Sequence, residues 1–213
     1  MTGRIAAAAR RLALCAGIAA SIAGGHMMSP ASASEDRSEN RSENRSEDRA
    51  LSFPMTAQAA SYWRYVSDRV MGGVSRGGLS FGEENGIGFA RLTGDVSTAN
   101  NGGFIQLRAG ITFDSLEDDG AGLTGIRIHA RGNGETYFIH LRTTDNRRPW
   151  HYYAASFTTG PDWEQTALDF DSFRHSAGMA PEHPQPQDIV SIGIVAYGRD
   201  HRADLSVAGI SFY

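Results

Sequence analysis

From residue 86 onward, the chain alternates apolar and polar residues in short segments, and this alternation limits the possible folds more than any other feature. Every second position is apolar in two of the segments: Ile126, Ile128 and Ala130 in one, and Tyr137, Ile139 and Leu141 in the other. Successive side chains of a strand point to opposite faces of a sheet. The pattern therefore indicates half-buried antiparallel strands.

Turn residues separate about eight such segments, and no helical pattern long enough for a crossover connection lies between them. The predicted strands are Gly86–Thr93, Gly103–Ala109, Leu123–Ala130, Thr136–Thr143, Trp150–Thr158, Glu164–Phe170, Ile189–Tyr197 and Asp204–Tyr213. The chain contains 25 glycines, which suits many tight turns. We therefore predict an all-β domain, a jelly-roll β-sandwich of about eight antiparallel strands.

The first fifty residues predict two segments that precede this domain. Residues 1–33 resemble an export signal, with early arginines, a short apolar region and the small-residue sequence Ala31-Ser32-Ala33 as a cleavage site. Residues 34–50 are the predicted disordered tether, because four Ser-Glu-Asp/Asn-Arg repeats fill residues 34–49 without an apolar residue. Residues 51–213 form the predicted domain. We expect an exported protein that is periplasmic or extracellular after cleavage near Ala33.

Composition excludes several classes of function. The net charge is −4 and the basic residues do not cluster, so nucleic-acid binding is not expected. The single cysteine, Cys15, lies in the predicted signal, which leaves the mature chain without a disulfide or a thiol nucleophile. The apolar region of that signal is too short to span a membrane stably.

The stretch Ser67–Ser75 contains two adjacent glycines beside an acidic residue. One interpretation is a structural turn in which Met71 packs into the core. The other is a binding loop, with Asp68, Met71, Gly72, Gly73 and Ser75 as its candidate residues. In that case Asp68 and the open backbone amides would face a ligand.

The same stretch resembles the opening signature of the complex I intermediate-associated protein family, the domain of NADH:ubiquinone oxidoreductase assembly factors. The resemblance spans roughly residues 60 to 213 and includes Trp63, Asp68, Val70-Met71-Gly72-Gly73, Ser75, Asn101-Gly102-Gly103-Phe104, Arg108, Gly132 and Gly134, Tyr137, Leu141-Arg142, Tyr153, Ala155, Phe157, Trp163 and Ile192-Gly193-Ile194. It implies a galactose-binding-like jelly roll and an assembly or chaperone-like role toward a protein client. A respiratory-chain or envelope component would suit such a role.

Catalytic and metal-binding motifs are weak. No Gly-x-Ser-x-Gly elbow surrounds Ser75, Ser97 or Ser156, so a hydrolase remains a minor alternative. An acidic loop with Asp114, Glu117, Asp118 and Asp119 lacks the ordered spacing of an EF-hand. We expect a non-enzymatic domain with no cofactor and no metal ion.

A second candidate surface follows from strand alternation. If the turn at Gly132–Gly134 joins two paired strands, the polar positions of both strands share one outward face. The predicted binding residues there are Arg127, His129, Phe138, His140, Arg142 and Tyr152. Arginines and aromatic residues carry much of the binding energy at interfaces. The arginines suit an acidic client or an anionic ligand, and the two histidines predict stronger binding as the pH falls toward 6.

Those two histidines lack a third ligand that would make a zinc site, so we interpret them as solvated sheet residues. Aromatic residues also leave a carbohydrate-binding module as an alternative. Trp150 and Tyr152 are expected to face outward, whereas Tyr153, Ala155, Phe157 and Trp163 are expected in the core.

Overall fold

The computed structural model describes residues 51–113 and 120–213, which contain twelve β-strands, short 3-10 turns and no α-helix. The strands are β1 (Leu51–Pro54), β2 (Arg64–Ser67), β3 (Arg76–Glu84), β4 (Ile87–Val96), β5 (Phe104–Gly110), β6 (Gly125–Gly132), β7 (Thr136–Thr143), β8 (Tyr153–Thr158), β9 (Glu164–Asp169), β10 (Arg174–His175), β11 (Ile189–Tyr197) and β12 (His201–Phe212).

These strands form two antiparallel sheets of six strands each. Sheet A has the order β3-β4-β12-β6-β9, with β1 paired to the far half of β12, and sheet B has the order β10-β8-β7-β11-β5-β2. Strands that are neighbours in sequence often lie in different sheets, as expected for a jelly roll. The predicted all-β sandwich is confirmed.

The core lies between the two sheets and consists of the inward positions of the alternating strands. Ile126, Ile128 and Leu205 from sheet A are fully buried, as are Ile139 and Ile194 from sheet B. Burial of such side chains supplies the main free energy of folding, about 1.5–3 kcal/mol for each large aliphatic residue. This burial fixes which residues point outward, so the alternation also positions the candidate binding surfaces.

Four strands are absent from the prediction made from sequence: β1, β2, β3 and the two-residue β10. The omission of β3 has a clear cause, because its Arg76-Gly77-Gly78 start is poor in the residues that strands favour. Gly77 pairs with Gly94 of β4, and a Cβ atom at Gly77 would come within 2.4 Å of the Thr93 carbonyl oxygen. Glycine here permits close approach of two backbones.

The predicted pairing of β6 with β7 is wrong. The strand β6 pairs with β12 and β9 in sheet A, whereas β7 pairs with β11 and β8 in sheet B. The turn between them crosses from one sheet to the other instead of closing a hairpin. Its backbone amides at Gly132 and Gly134 donate to the carbonyls of Gly160 and Thr159, in the connection that crosses back from β8 to β9.

The side chain of Asn133 ties this crossover to β12 and β7. Its Nδ2 donates to the Arg202 carbonyl at 2.8 Å, and its Oδ1 accepts a hydrogen bond from the Tyr137 hydroxyl at 2.6 Å. That hydroxyl in turn accepts from the backbone amide of Asp204 at 3.0 Å. The polar groups of an apparent hairpin turn are thus satisfied by Tyr137, by β12 and by the connection between β8 and β9.

The predicted signal at residues 1–33 and the predicted tether at residues 34–50 lie outside the described residues, as does the acidic loop at Asp114–Asp119. Within residues 51–113 and 120–213, no helix is long and apolar enough to cross a membrane.

The Tyr137 hydroxyl gives a test of the crossover. Tyr137→Phe should lower the free energy of unfolding by about 1–2 kcal/mol, because Asn133 and the Asp204 amide each lose a hydrogen-bond partner. Urea denaturation measures this change. Tyr213→Phe is the control, since its hydroxyl bonds to the exposed Asp169 and its loss should cost about 0.5 kcal/mol or less. Equal effects would contradict a special role for Tyr137.

Candidate binding surfaces

The carboxylate of Asp68 is fully buried and is held by groups of the chain itself. Its Oδ1 accepts from the Ser75 amide at 3.0 Å, and its Oδ2 accepts from the Ser75 hydroxyl and from the Gly103 amide at 2.6 Å. A longer contact of 3.4 Å comes from the Phe104 amide. The carboxylate therefore joins the Ser67–Ser75 stretch to the start of β5, which favours the structural interpretation of Asp68 over a ligand contact.

Burial by itself would raise the pKa of Asp68, but the hydrogen bonds from Ser75, Gly103 and Phe104 outweigh it and lower the pKa below its usual value. The surrounding glycines leave room for this arrangement. A Cβ atom on Gly73 would lie 2.3 Å from the carboxyl carbon of Asp68, and one on Gly102 would lie 2.3 Å from Oδ2. Both glycines are needed because the carboxylate occupies the space of their side chains.

The same loop presents apolar side chains to solvent. Val70 is 75% exposed and Met71 is 63% exposed, so the expectation that Met71 packs into the core is wrong. Gly72 adopts a positive φ of 93°, which turns the chain after the short 3-10 segment Asp68–Met71. Of the five candidate residues in this loop, Asp68 and Ser75 are buried, whereas Met71 faces outward.

The second candidate surface does not exist as one face. Because β6 and β7 belong to different sheets, Arg127 and His129 lie on the outer face of sheet A. Phe138, His140 and Arg142 lie on the outer face of sheet B. Tyr152 joins the second group, because its ring stacks on His140 at 4.0 Å with an angle of 13° between the planes. Two of the six predicted residues thus lie on one side of the sandwich, and the other four lie on the opposite side.

On the outer face of sheet A, charged and aromatic groups are largely paired with one another. Arg91 forms a bidentate salt bridge with Asp204 at 2.7 and 2.8 Å. Arg131 pairs with Glu84 and lies 4.7 Å from the Trp163 ring centre. Trp163 therefore covers this outer face, and the prediction that it lies in the core is wrong.

The two candidates on sheet A are also engaged. His129 packs 5.2 Å from Trp163, and Arg127 lies 4.1 Å over the ring of Tyr213. Cation–π contacts of this kind occupy the face of the aromatic ring. These side chains on the outer face of sheet A therefore already contact one another within the fold.

On the outer face of sheet B, two arginines have hydrogen-bond partners but no carboxylate partner among the described residues. Arg108 on β5 and Arg142 on β7 are both partly buried, and β11 runs between their strands. Arg108 donates to the Ser191 hydroxyl at 3.2 Å, and Arg142 donates to the carbonyls of Asn146 and Arg148 at 2.9 and 3.1 Å. Among the described residues, neither guanidinium forms a salt bridge with a carboxylate.

Aromatic side chains form a cluster beside these arginines. His140 stacks on Tyr152 and meets Tyr197 edge-on at 5.7 Å, and Tyr197 also contacts Phe138 at 5.9 Å. The Nε2 atom of His140 is buried and has no hydrogen-bond partner in the described structure. Burial lowers the pKa of His140 to about 3. The expectation that His140 strengthens binding near pH 6 therefore fails, since the ring stays neutral there.

Sequence reasoning left several residues of this face out of the predicted site: Gln106, Arg108, Ser191, Gly193 and Tyr197. The signal was present in the predicted strand Gly103–Ala109, where Gln106 and Arg108 alternate with the buried Ile105 and Leu107. What was missing was the strand order, because only the position of β11 between β5 and β7 brings Arg108 to the same face as His140.

The described residues contain no cluster of three His, Cys, Asp or Glu side chains placed to hold a metal ion. The hydroxyl of Ser75 is occupied by Asp68, and it also accepts from the Ser97 amide at 2.9 Å. The geometry at Ser75 is therefore that of a structural hydroxyl, not of a nucleophile beside a base.

The family follows from a sequence comparison. The profile of Complex I intermediate-associated protein 30 (CIA30) matches residues 52–207, which is most of the chain. The chain belongs to the CIA30 family. Asp68, Gly73 and Gly103, which belong to the resemblance seen in the sequence, meet at the buried carboxylate. No curated protein sequence matches the chain.

Among solved structures, this CIA30 domain is similar to carbohydrate-binding modules. One is the family 11 module of the cellulosomal cellulase Lic26A-Cel5E of Clostridium thermocellum, with a TM-score of 0.52, 14% identity, and coverage of 71% of this chain and 86% of that chain. Another is the family 11 module of the same organism in complex with a β-1,3-1,4-mixed-linked tetrasaccharide, with a TM-score of 0.52, 14% identity, and coverage of 71% and 88%. These similarities show a shared fold.

The Asp68 network predicts a stability effect that depends on pH. At pH 7, Asp68→Ala should lower the free energy of unfolding by about 2–4 kcal/mol, because buried amides lose a charged acceptor. The folded-state pKa is lowered, so this contribution is present above the unfolded pKa of about 4 and is lost as the pH falls below it.

Chemical denaturation of both proteins between pH 7 and pH 2.5 measures this effect. The difference in free energy of unfolding between the parent chain and Asp68→Ala should become smaller in acid. Asp162→Ala, at an exposed turn, is the control and should change stability by about 0.5 kcal/mol or less. If that difference is small at pH 7, or stays constant down to pH 2.5, the Asp68 carboxylate does not stabilise the fold as proposed.

His140 gives a separate prediction about ionisation. Its ring should remain neutral from pH 8 to pH 5, since burial lowers the pKa to about 3. An NMR titration of the ring carbon and proton resonances measures this directly, with His140→Gln used to assign the signals. A midpoint near pH 6 for His140 would show that the ring is solvated.

Proposed function

We propose that this CIA30-family protein is a non-catalytic binding domain of the assembly-factor type, which holds a protein client on the outer face of sheet B. The main supporting observation is that Arg108 and Arg142 lie on one face without a carboxylate partner among the described residues. Arginine and aromatic residues are enriched at the energetic centres of protein interfaces. Family membership supports a protein as the client.

The contrast between the two outer faces supports this choice of surface. In sheet A, Arg91 and Arg131 each pair with a carboxylate. A partner that bound there would have to compete with those contacts. In sheet B, Arg108 and Arg142 contact only hydroxyl or carbonyl oxygens, so their charge is available to a partner. A partner gains more from groups that the fold has left electrostatically unpaired.

A carbohydrate ligand is the second candidate. It is favoured by Trp150, which precedes β8 and is 59% exposed, since an exposed indole ring can stack on a sugar. The similarity to carbohydrate-binding modules supports the shape of such a domain only. We rank this candidate lower because the nearest rings of the sheet B face, His140 and Tyr152, already stack on each other.

The compartment of the client follows from the predicted export signal, and it remains a prediction. If residues 1–33 direct export, the client is an envelope or extracellular protein. The proposed binding surface does not depend on this point, because it lies entirely within the described domain.

Site-specific photo-crosslinking in the native cells tests the proposed surface. The full chain would carry p-benzoylphenylalanine in place of Ser156, which is exposed on β8 and pairs with Phe138. The matched control carries it in place of Gln165, which is exposed on β9 and pairs with His129 on the other sheet. Mass spectrometry would then identify the crosslinked species.

We expect a discrete protein adduct from position 156 and little or none from position 165. An adduct that forms only from position 165 would place the client on sheet A and contradict the proposal. A carbohydrate adduct from position 156 would keep the surface but replace the protein client with the second candidate. Equal crosslinking from both positions, to many proteins, would mean nonspecific contact and would also contradict the proposal.

A further inference from the structure

We propose that Arg108 and Arg142 together bind a carboxylate of an acidic peptide segment on the client. This inference rests on the proposed function and adds the chemistry that the surface recognises. It assigns the recognising groups to two arginines that the strand order brings together from distant parts of the sequence.

The register of sheet B places the two arginines on either side of β11. Arg142 on β7 is the direct partner of Ser191, and Arg108 on β5 is the direct partner of Gly193. Neighbouring strands are about 4.8 Å apart, so the strands of the two arginines are separated by about 10 Å. Two side chains of this length can reach the same ligand group across that gap.

The residues of β11 between the arginines are small. Side chains from β5 and β7 can therefore extend over this strand. Ser191 contributes its hydroxyl to Arg108. Gly193 has no side chain, and the amide oxygen of Gln106 lies 2.7 Å from where its Cβ would stand. The two arginines, Ser191 and Gln106 therefore form a polar patch, and His140 borders it from β7.

The two guanidiniums also influence each other. Burial lowers the pKa of Arg108, and the positive charge of Arg142 lowers it further. Two cations near each other destabilise the free protein slightly, and an anion between them relieves this repulsion. A planar carboxylate matches the fork of N–H donors on a guanidinium, so binding can be bidentate.

Arg108, Arg131 and Arg142 are the partly buried arginines of the described residues, and of these three only Arg131 has a carboxylate partner. Arg91, Arg131, Arg174 and Arg199 each have a carboxylate within salt-bridge distance. Arg108 and Arg142 instead lie partly buried at the middle of a sheet and contact neutral oxygens only. Partial burial strengthens an interaction with a charged ligand, because water screens it less.

We choose a peptide carboxylate over a uronic acid because the rings that lie beside the arginines on the sheet B face already pack against one another. Tyr152 and His140 stack on each other, and Phe138 and Tyr197 pack edge to face. An acidic side chain needs only the guanidinium groups, and assembly-factor function supplies a protein client.

Fluorescence anisotropy with a labelled octaglutamate peptide and the full chain tests the inference. Binding should be detectable at low salt and should weaken as salt is raised. Arg108→Gln should weaken it about tenfold, which corresponds to the loss of one charged hydrogen-bond pair. Arg108→Lys should restore part of the affinity, because it keeps the charge but not the bidentate geometry.

Two controls and one further variant of the site make the result specific. Arg127→Gln removes one arginine from the outer face of sheet A and should change affinity less than about twofold, since it leaves the proposed site intact. Octaglutamine has the same length without the charge and should not bind. Arg142→Lys is used instead of Arg142→Gln, because Arg142 also donates to the carbonyls of Asn146 and Arg148 and its loss would disturb that turn.

The outcomes distinguish this inference from the proposed function. No binding of octaglutamate, or equal weakening by Arg108→Gln and Arg127→Gln, overturns the carboxylate site. If crosslinking from position 156 still captures a protein, and Arg108→Gln does not reduce that capture, the surface stands and the carboxylate site is wrong. Tighter binding of oligogalacturonate than of octaglutamate would overturn the choice of a peptide. A circular dichroism melt that is unchanged in Arg108→Gln shows that the loss is one of binding.

Discussion

The buried carboxylate of Asp68 is the interaction on which the arrangement of the loops depends. It accepts hydrogen bonds from Ser75 and from Gly103, which are 28 residues apart in the sequence. A buried charge without a cation is stable only when such donors surround it. Gly73 and Gly102 leave the space that this arrangement needs. These contacts favour a structural role for Asp68 in a stretch that could also be interpreted as a ligand loop.

The sandwich itself could be predicted because its signal is local. The alternation in Thr136–Thr143 and Ile189–Tyr197 determines which residues enter the core, and both strands have the predicted bounds. Burial enforces this alternation, since a shift by one residue would expose every apolar side chain of a strand. The strand β3 was missed because its glycines serve a close approach to β4, which no local pattern reveals.

The candidate surface could be predicted only in part, because it depends on strand order. Phe138, His140 and Arg142 share a face through alternation within one strand. Arg127 does not join them, since the turn after β6 crosses to the other sheet and donates its amides to the connection between β8 and β9. Arg108 joins them only because β11 lies between β5 and β7. Long-range pairing of this kind leaves no mark in a local sequence pattern.

The central claim is that binding uses the outer face of sheet B while the Asp68 network only supports the fold. A titration of the 15N-labelled full chain with octaglutamate, followed by two-dimensional NMR, tests it most directly. We predict chemical-shift changes centred on Arg108, Arg142 and Ser191, with the amides of Ser75 and Gly103 unchanged. Changes centred on Ser75 and Gly103, or on Arg127 in sheet A, would contradict the account.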